Sequence, residues 1–380
     1  MDYALVNAVI YTGEGVLKDK AVIISNEIIH SIVDESKIPE KIEVIDLNYC
    51  NVSPGFIDLQ VNGGGGLLFN DHLSLESLKV IFDAHMRYGT TNFLPTIIST
   101  SIDNILRGIE TVREAMKTGE LGVAGLHLEG PYINKEKKGI HLASQIKQAK
   151  IEELLELIKF NQDVIKIITL APEIFEENEL KEILKSEIMV SAGHSNCSFK
   201  EAKRAFELGI SKVTHLFNAM SQLYSREPGL VGASLLENKV WSSIIPDGYH
   251  VDFNSLKIAH KMKKDKVIIV TDSMPPVGSD IKEFDLGDRK INCEDHRCID
   301  KNGRLAGSAL DMSQAVKNCV SNIGISLEEV LMMASTYPAK VIGKDNKLGK
   351  VKEGYQADLV IFNDSLDVIG VINNGEYISF

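Results

Sequence analysis

The chain has 380 residues, 44% of them hydrophobic and 25% charged, and a formal net charge of −12. That composition suits a folded globular protein rather than a disordered or fibrous one, and the negative balance argues against a nucleic-acid binder, which would carry a basic face. The same balance repels anions at long range, so a phosphorylated ligand would need a local cluster of donors.

From the N-terminus, residues 1–53 are rich in β-branched side chains, with turns at Gly13-Glu14-Gly15 and Ser25-Asn26-Glu27. Eight short apolar runs follow, each ending in polar or small residues: Gly55–Asn62, Thr91–Thr96, Val123–Glu129, Val164–Glu173, Ile188–His194, Lys212–Asn218, Trp241–Asp247 and Lys266–Asp272. Helical patterns fill most gaps, as in 151–158 and 199–206. Successive runs start roughly 20 to 45 residues apart, the size of a βα unit with insertions. Eight such units predict a (β/α)8 TIM-type barrel over 54–345, with its active site at the carboxyl ends of the strands. Residues 346–380 return to β texture. Neither terminal segment buries a sheet well alone, so 1–53 and 346–380 are expected to build one small β-sandwich domain together.

No apolar run approaches the roughly 18 residues needed to cross a bilayer. The start, Met1-Asp2-Tyr3-Ala4, lacks the basic region of a secretory signal. The five cysteines form no CxxC pair and are odd in number, which fits a reducing cytoplasm. Cys293 and Cys298 suit a loop or hairpin better than a metal pair.

Amide hydrolysis needs an activated water and a protonated leaving amine. A divalent metal with an open coordination position supplies the first; a nearby carboxylate can move the proton. The strand ends offer this set: Glu129 closes the third run, His194 the fifth, His215 lies in the sixth, and Asp272 closes the eighth. Side chains at the ends of barrel strands converge on the axis. Each residue has a plainer use as a cap, a turn or a hydrogen-bonded packing group. Together they suggest a metal hydrolase.

Ser53-Pro54-Gly55-Phe56-Ile57-Asp58 and Gly354-Tyr355-Gln356-Ala357-Asp358-Leu359-Val360 resemble the amidohydrolase superfamily. Within it, an ordered set resembles the N-acetylglucosamine-6-phosphate deacetylase family: Leu126-His127-Leu128-Glu129-Gly130-Pro131-Tyr132, Ala192-Gly193-His194-Ser195, Thr214-His215-Leu216-Phe217-Asn218-Ala219-Met220, Arg226-Glu227-Pro228-Gly229, Asp247-Gly248-Tyr249-His250-Val251-Asp252 and Val270-Thr271-Asp272. The likeness runs essentially end to end. It implies deacetylation of N-acetyl-D-glucosamine 6-phosphate, with Glu129, His194 and His215 as metal ligands and Asp272 as proton carrier. It implies His141 beside the acetyl carbonyl, and substrate contacts from Asn218, Ala219, Arg226, His250 and the Leu305-Ala306-Gly307-Ser308 stretch. Arg226 and His250 match phosphate partners, and the matching arginine can come from a neighbouring subunit, which implies a homodimer.

Most amidohydrolases carry His-x-His on the first strand, where this chain has Gln60 and Asn62. Period-two spacing turns both toward one face, near the substrate. Amides are poor ligands for zinc or iron, so one metal is expected: zinc first, with iron, cobalt or manganese acceptable to the same donors. His127 is expected to support the site rather than ligate. Lys166 sits mid-run and is expected to be structural. Lys135, Lys137 and Lys138 read as a solvated loop, and Gly63 to Gly66 as backbone that approaches the substrate. His30, His72, His85, His260 and His296 have no motif context and read as surface or packing residues. The alternatives are the galacto epimer as substrate, a cyclic-amide or nucleobase hydrolase, and a scaffold that keeps the barrel without catalysis.

Overall fold

The structure, a computed structural model, describes residues 2–147, 150–294 and 297–380. Each apolar run contains a strand. Numbered from the first of them, these are β1 (Phe56–Val61), β2 (Thr90–Ile98), β3 (Leu126–Glu129), β4 (Ile165–Leu170), β5 (Met189–Ala192), β6 (Lys212–Val213), β7 (Trp241–Ile244) and β8 (Val267–Ile269). They form one parallel sheet in sequence order. The sheet curls round until β1 meets the chain beyond β8. Val61 bridges Ser273, the Asp272 amide donates to the Gln60 carbonyl at 3.0 Å, and the Asn62 amide donates to the Ser273 carbonyl at 3.0 Å. The fold is a TIM-type barrel.

The outer helices form for ordinary reasons. In the helix Ile102–Thr118, Ser101 accepts from the Asn104 amide at the start and Gly119 ends it at φ 71°. Ile105, Ile109 and Val112 recur on one face and are fully buried against the barrel. Each such side chain contributes roughly 1.5–3 kcal/mol, more than the approximately 1 kcal/mol of the cap. The expected helical stretches appear as Ile151–Asn161 and Phe199–Leu208.

Both chain ends share one sheet. Leu359–Phe362 pairs antiparallel with Asn51–Pro54, which pairs in turn with Val9–Tyr11. A second sheet joins Ile28–Asp34, Lys20–Ser25, Asp2–Val6 and Glu43–Asp46. Leu5, Ile10 and Ile24 from one end pack with Leu359, Ile361 and Ile372 from the other.

Between β8 and the next helix lies an antiparallel sheet that the periodicity did not reveal: β9 (Glu283–Leu286), β10 (Arg289–Glu294), β11 (Arg297–Asp300) and β12 (Leu305–Ser308). It packs Ile291, Cys298 and Ala306 against Leu68, Ile98 and Met274 of the barrel top. Cys293 and Cys298 do lie in a hairpin. They sit directly opposite each other across β10 and β11, with Cα atoms 4.1 Å apart, and are disulfide-bonded. This departs from the expectation of reduced thiols; Cys50, Cys197 and Cys319 are free. His296 lies outside the described residues.

The glycine run is crowded by its neighbours. A Cβ at Gly63 would strike the Leu67 carbonyl and Pro275, one at Gly64 would strike His85, and one at Gly65 would strike Val80. Gly64 and Gly65 let the first loop close on the helix Leu75–Met86.

Candidate active site

The strand ends turn inward through strained backbone. His194, His215 and Asp272 take φ of 48°, 33° and 52°, a left-handed region that non-glycine residues rarely occupy and that clusters at functional sites. Ala219 does the same at 49°. The result is a pocket lined by Asn62, Glu129, His141, His194, His215, Asn218, Ala219, His250, Asp272, Leu305 and Gly307, a concave site in which polar groups converge.

At its base three ligand-type atoms meet. The Nε2 atoms of His194 and His215 lie 3.2 and 3.0 Å from Oε1 of Glu129 and 3.1 Å from each other. Glu129, His141 and His194 also offer donor atoms within 4.8 Å of one another, but Nε2 of His141 stands back, 3.9 Å from Oε2 of Glu129. The tighter trio is therefore Glu129, His194 and His215. His194 donates its Nδ1 proton to the Lys137 carbonyl at 2.9 Å, which leaves the Nε2 lone pair facing inward, the usual arrangement of a metal-ligating imidazole. Burial alone would raise the Glu129 carboxyl; the two imidazoles outweigh it and hold it well below the ordinary value.

His141 is set up differently. Its Nδ1 accepts from the Ser99 amide at 3.3 Å and lies 2.7 Å from the Ser99 hydroxyl. The proton then sits on Nε2, aimed into the pocket. Burial, and after it His194, push this imidazole down to about 3, so it is a neutral donor.

Asp272 is half-buried in the pocket wall, and its carboxyl is raised first by desolvation and then by Glu129. Its Oδ1 accepts from Gln60 Nε2 at 3.0 Å and Asn62 Nδ2 at 2.7 Å. Gln60 Nε2 also lies 3.1 Å from Oε1 of Glu129. The carbonyl oxygens of both amides are buried without a partner among the described residues.

Three expected substrate contacts fall elsewhere. Gln60 lies between the two carboxylates, beneath the pocket lining. Ala306 points away from the pocket because alternation along β12 sends it into the hairpin's apolar cluster, while Leu305 and Gly307 face the pocket. Arg226 is exposed and outside this chain's pocket. His127 lies between Thr96 (3.3 Å) and Thr169 (2.8 Å) below Glu129, a supporting position. Lys166 is half-buried on the barrel exterior, near the Gln162 carbonyl.

Sequence patterns did not point to the groups that hold these side chains. Asp247 grips His250: its Oδ2 lies 2.6 Å from Nδ1, and its Oδ1 accepts the amides of Tyr249 and His250 at 2.9 and 2.8 Å. Asp247 ends its run as Asp272 does, and that shared position was the available signal. Lys212 is buried inside the barrel among the hydroxyls of Ser191, Thr214 and Ser243 at 3.3–3.5 Å. Ser243 also accepts from the His215 amide at 2.8 Å.

Residues 51–378 match the amidohydrolase family, and residues 2–52 match the NagA composite domain. The chain is 40% identical to the N-acetylglucosamine-6-phosphate deacetylase of Haemophilus influenzae over 380 residues, 99% of each chain. It is also 40% identical to the N-acetylgalactosamine-6-phosphate deacetylase of a Shewanella species over 324 residues, 85% of this chain and 82% of that one. The crystal structure of N-acetylglucosamine-6-phosphate deacetylase from Pasteurella multocida superposes with a TM-score of 0.97 at 39% identity, covering both chains completely.

Proposed function

The chain belongs to the amidohydrolase family, and from that premise we propose that it hydrolyses the acetamide of N-acetyl-D-glucosamine 6-phosphate, giving acetate and D-glucosamine 6-phosphate. The observation that carries this function is the meeting of Glu129, His194 and His215 within 3.2 Å of one another, with the raised carboxyl of Asp272 among the residues lining the same pocket.

That trio suits a divalent ion: two imidazole nitrogens face a carboxylate oxygen at the base of the pocket, and the outward nitrogen of His194 is fixed by a carbonyl. Zinc fits best, and iron, cobalt or manganese would accept the same donors. When bound, the ion polarises the acetyl carbonyl and acidifies water at the site. One ion per subunit is proposed, because amides stand at positions 60 and 62 where two-metal relatives carry imidazoles.

The side chains do the rest. Asp272 takes the proton from the attacking water through Oδ2, since Gln60 and Asn62 hold Oδ1. The neutral Nε2–H of His141 donates to the oxyanion as the carbonyl carbon becomes tetrahedral. Asp272 then returns the proton to the departing amine. Asn218, Ala219, His250, Leu305 and Gly307 shape the sugar end of the pocket. Asp272→Asn should lower kcat by about 10²–10⁴-fold, the usual share of general acid–base catalysis, while metal content stays at one per chain. Near-normal turnover with metal bound would overturn the assignment.

The Shewanella relative supports a second substrate, the galacto epimer. Acetate release from the two 6-phosphates, side by side, decides which is preferred.

Arg226 is proposed to serve the pocket of a second copy in a homodimer; it is exposed beside exposed Leu223 and Tyr224. Mixing Arg226→Ala with Asp272→Asn should then restore about a quarter of wild-type activity through statistical heterodimers. No recovery rejects the shared site. A cytoplasmic location is proposed as well, because charge confines sugar phosphates behind membranes. Fractionation of the source cells tests it.

A further inference from the structure

A molecule of net charge −12 must still attract a doubly charged sugar phosphate, and Arg226 lies outside the chain's own pocket. The geometry points to Lys138, Arg289 and Arg304 as a cationic collar, supplied by the chain itself, that captures the substrate's phosphate at the pocket mouth. This rests on the amino-sugar-phosphate function above.

The side chains of Lys138 and Arg289 reach the backbone of lining residues, and Arg304 precedes one in the chain. Lys138 precedes Gly139 and Ile140, which line the pocket, and its ammonium lies 3.3 Å from the His141 carbonyl and 3.4 Å from that of Gly139. It is half-buried, not the freely solvated loop lysine expected from sequence. Arg289, on β10, donates Nη1 to the Ile140 carbonyl at 3.0 Å. Arg304 immediately precedes Leu305, another lining residue. Among the described residues none of the three has a salt bridge within 4.0 Å. Asp300 stands near Lys138 and Arg304, and its Oδ1 is occupied by the backbone amides of Asn302 and Arg304 at 2.8 and 3.0 Å.

The cations are close enough to disturb one another. Burial first, and then Arg289 and Arg304, push the Lys138 ammonium below its ordinary value. Gathering like charges is unfavourable unless an anion joins them. The hairpin sheet holds the group in place from two sides: Arg289 is tied to the 139–141 loop, and Arg297 stacks over Tyr249, next to His250, at 5.5 Å. Guanidinium forks suit phosphate oxygens, and a positive rim raises the on-rate of an anion at low salt.

The test is kcat/KM for N-acetylglucosamine 6-phosphate and for unphosphorylated N-acetylglucosamine, in wild type, Arg304→Gln, Arg289→Lys and Lys138→Met. Arg304 is exposed, so its variant should fold normally. The collar predicts that Arg304→Gln lowers the ratio of phosphorylated to unphosphorylated kcat/KM about tenfold, mostly in KM, as loss of one charge-assisted hydrogen bond would. It also predicts a shallower dependence of that ratio on salt. Unchanged ratios in all three variants, or equal losses on both sugars, would overturn the collar while leaving the function standing. A wild type without preference for the phosphorylated sugar would instead overturn the function on which the collar rests.

Discussion

At the scale of single residues, the site depends on pairs in which one side chain fixes another. Ser99 fixes the tautomer of His141, the Lys137 carbonyl fixes that of His194, and Asp247 fixes the orientation of His250. Glu129, His194 and Asp272 were legible in the sequence because each ends an apolar run, whereas His141 and His250 were legible only through the family resemblance. Their holders were not, because a carbonyl at 137 or a serine at 99 meets its partner only after the barrel closes. The left-handed backbone at His194, His215 and Asp272 was equally hidden, since nothing about a histidine or aspartate announces positive φ. Asp247 provides a check. Asp247→Ala removes an acceptor from a buried imidazole and two amides, so kcat/KM should fall roughly ten- to a hundredfold, given about 1.5–3 kcal/mol for a hydrogen bond to a charged group. Metal content should stay at the wild-type value. Unchanged kinetics would show that His250 does not need this anchor.

At the scale of elements, β6 carries an unusual burden. Lys212 is 1% exposed, and burial pushes its ammonium down to about 7, partly offset by Glu129. Below pH 7 both folded and unfolded chains hold the proton, and the folded state bears the full desolvation penalty. Between pH 7 and about 10 the unfolded chain binds more protons, so this residue makes stability rise with pH. Lys212→Met should therefore stabilise the protein by roughly 1–4 kcal/mol near pH 6, the range found when buried charge gives way to apolar packing. The advantage should shrink toward pH 9. Urea midpoints of both proteins at the two pH values measure it, and a gap that widens with pH contradicts the sign. The barrel strands were readable as elements because burial on both faces makes them continuously apolar. The four hairpin strands were not. They mix charge with apolar residues, as in Arg289–Glu294 with its burial alternating, and a short amphipathic ribbon resembles an ordinary loop in sequence.

At the scale of the whole molecule, the eight βα units specify a barrel because parallel strands joined by helices close in that way. The union of the two termini was foreseeable, since Leu359–Phe362 needs a covered face that neighbouring residues cannot provide. The division of the small domain into sheets of 4 and 6 strands was not, because pairing between residues 51–54 and 359–362 is set by the barrel that lies between them. The point where β1 meets the end of β8 is also where Gln60, Asn62 and Asp272 sit. The proton carrier is thus part of a latch: its amide holds Gln60 of the first strand, and its carboxylate holds the side chains of Gln60 and Asn62. A strand pair joined by few bonds opens before the rest of a domain. Activity should therefore vanish at a lower urea concentration than helical circular dichroism, with a bound transition-state analogue drawing the two curves together. Coincident curves without ligand would mean that the latch is as firm as the barrel. If they separate, turnover itself becomes the gauge of whether the cylinder is shut.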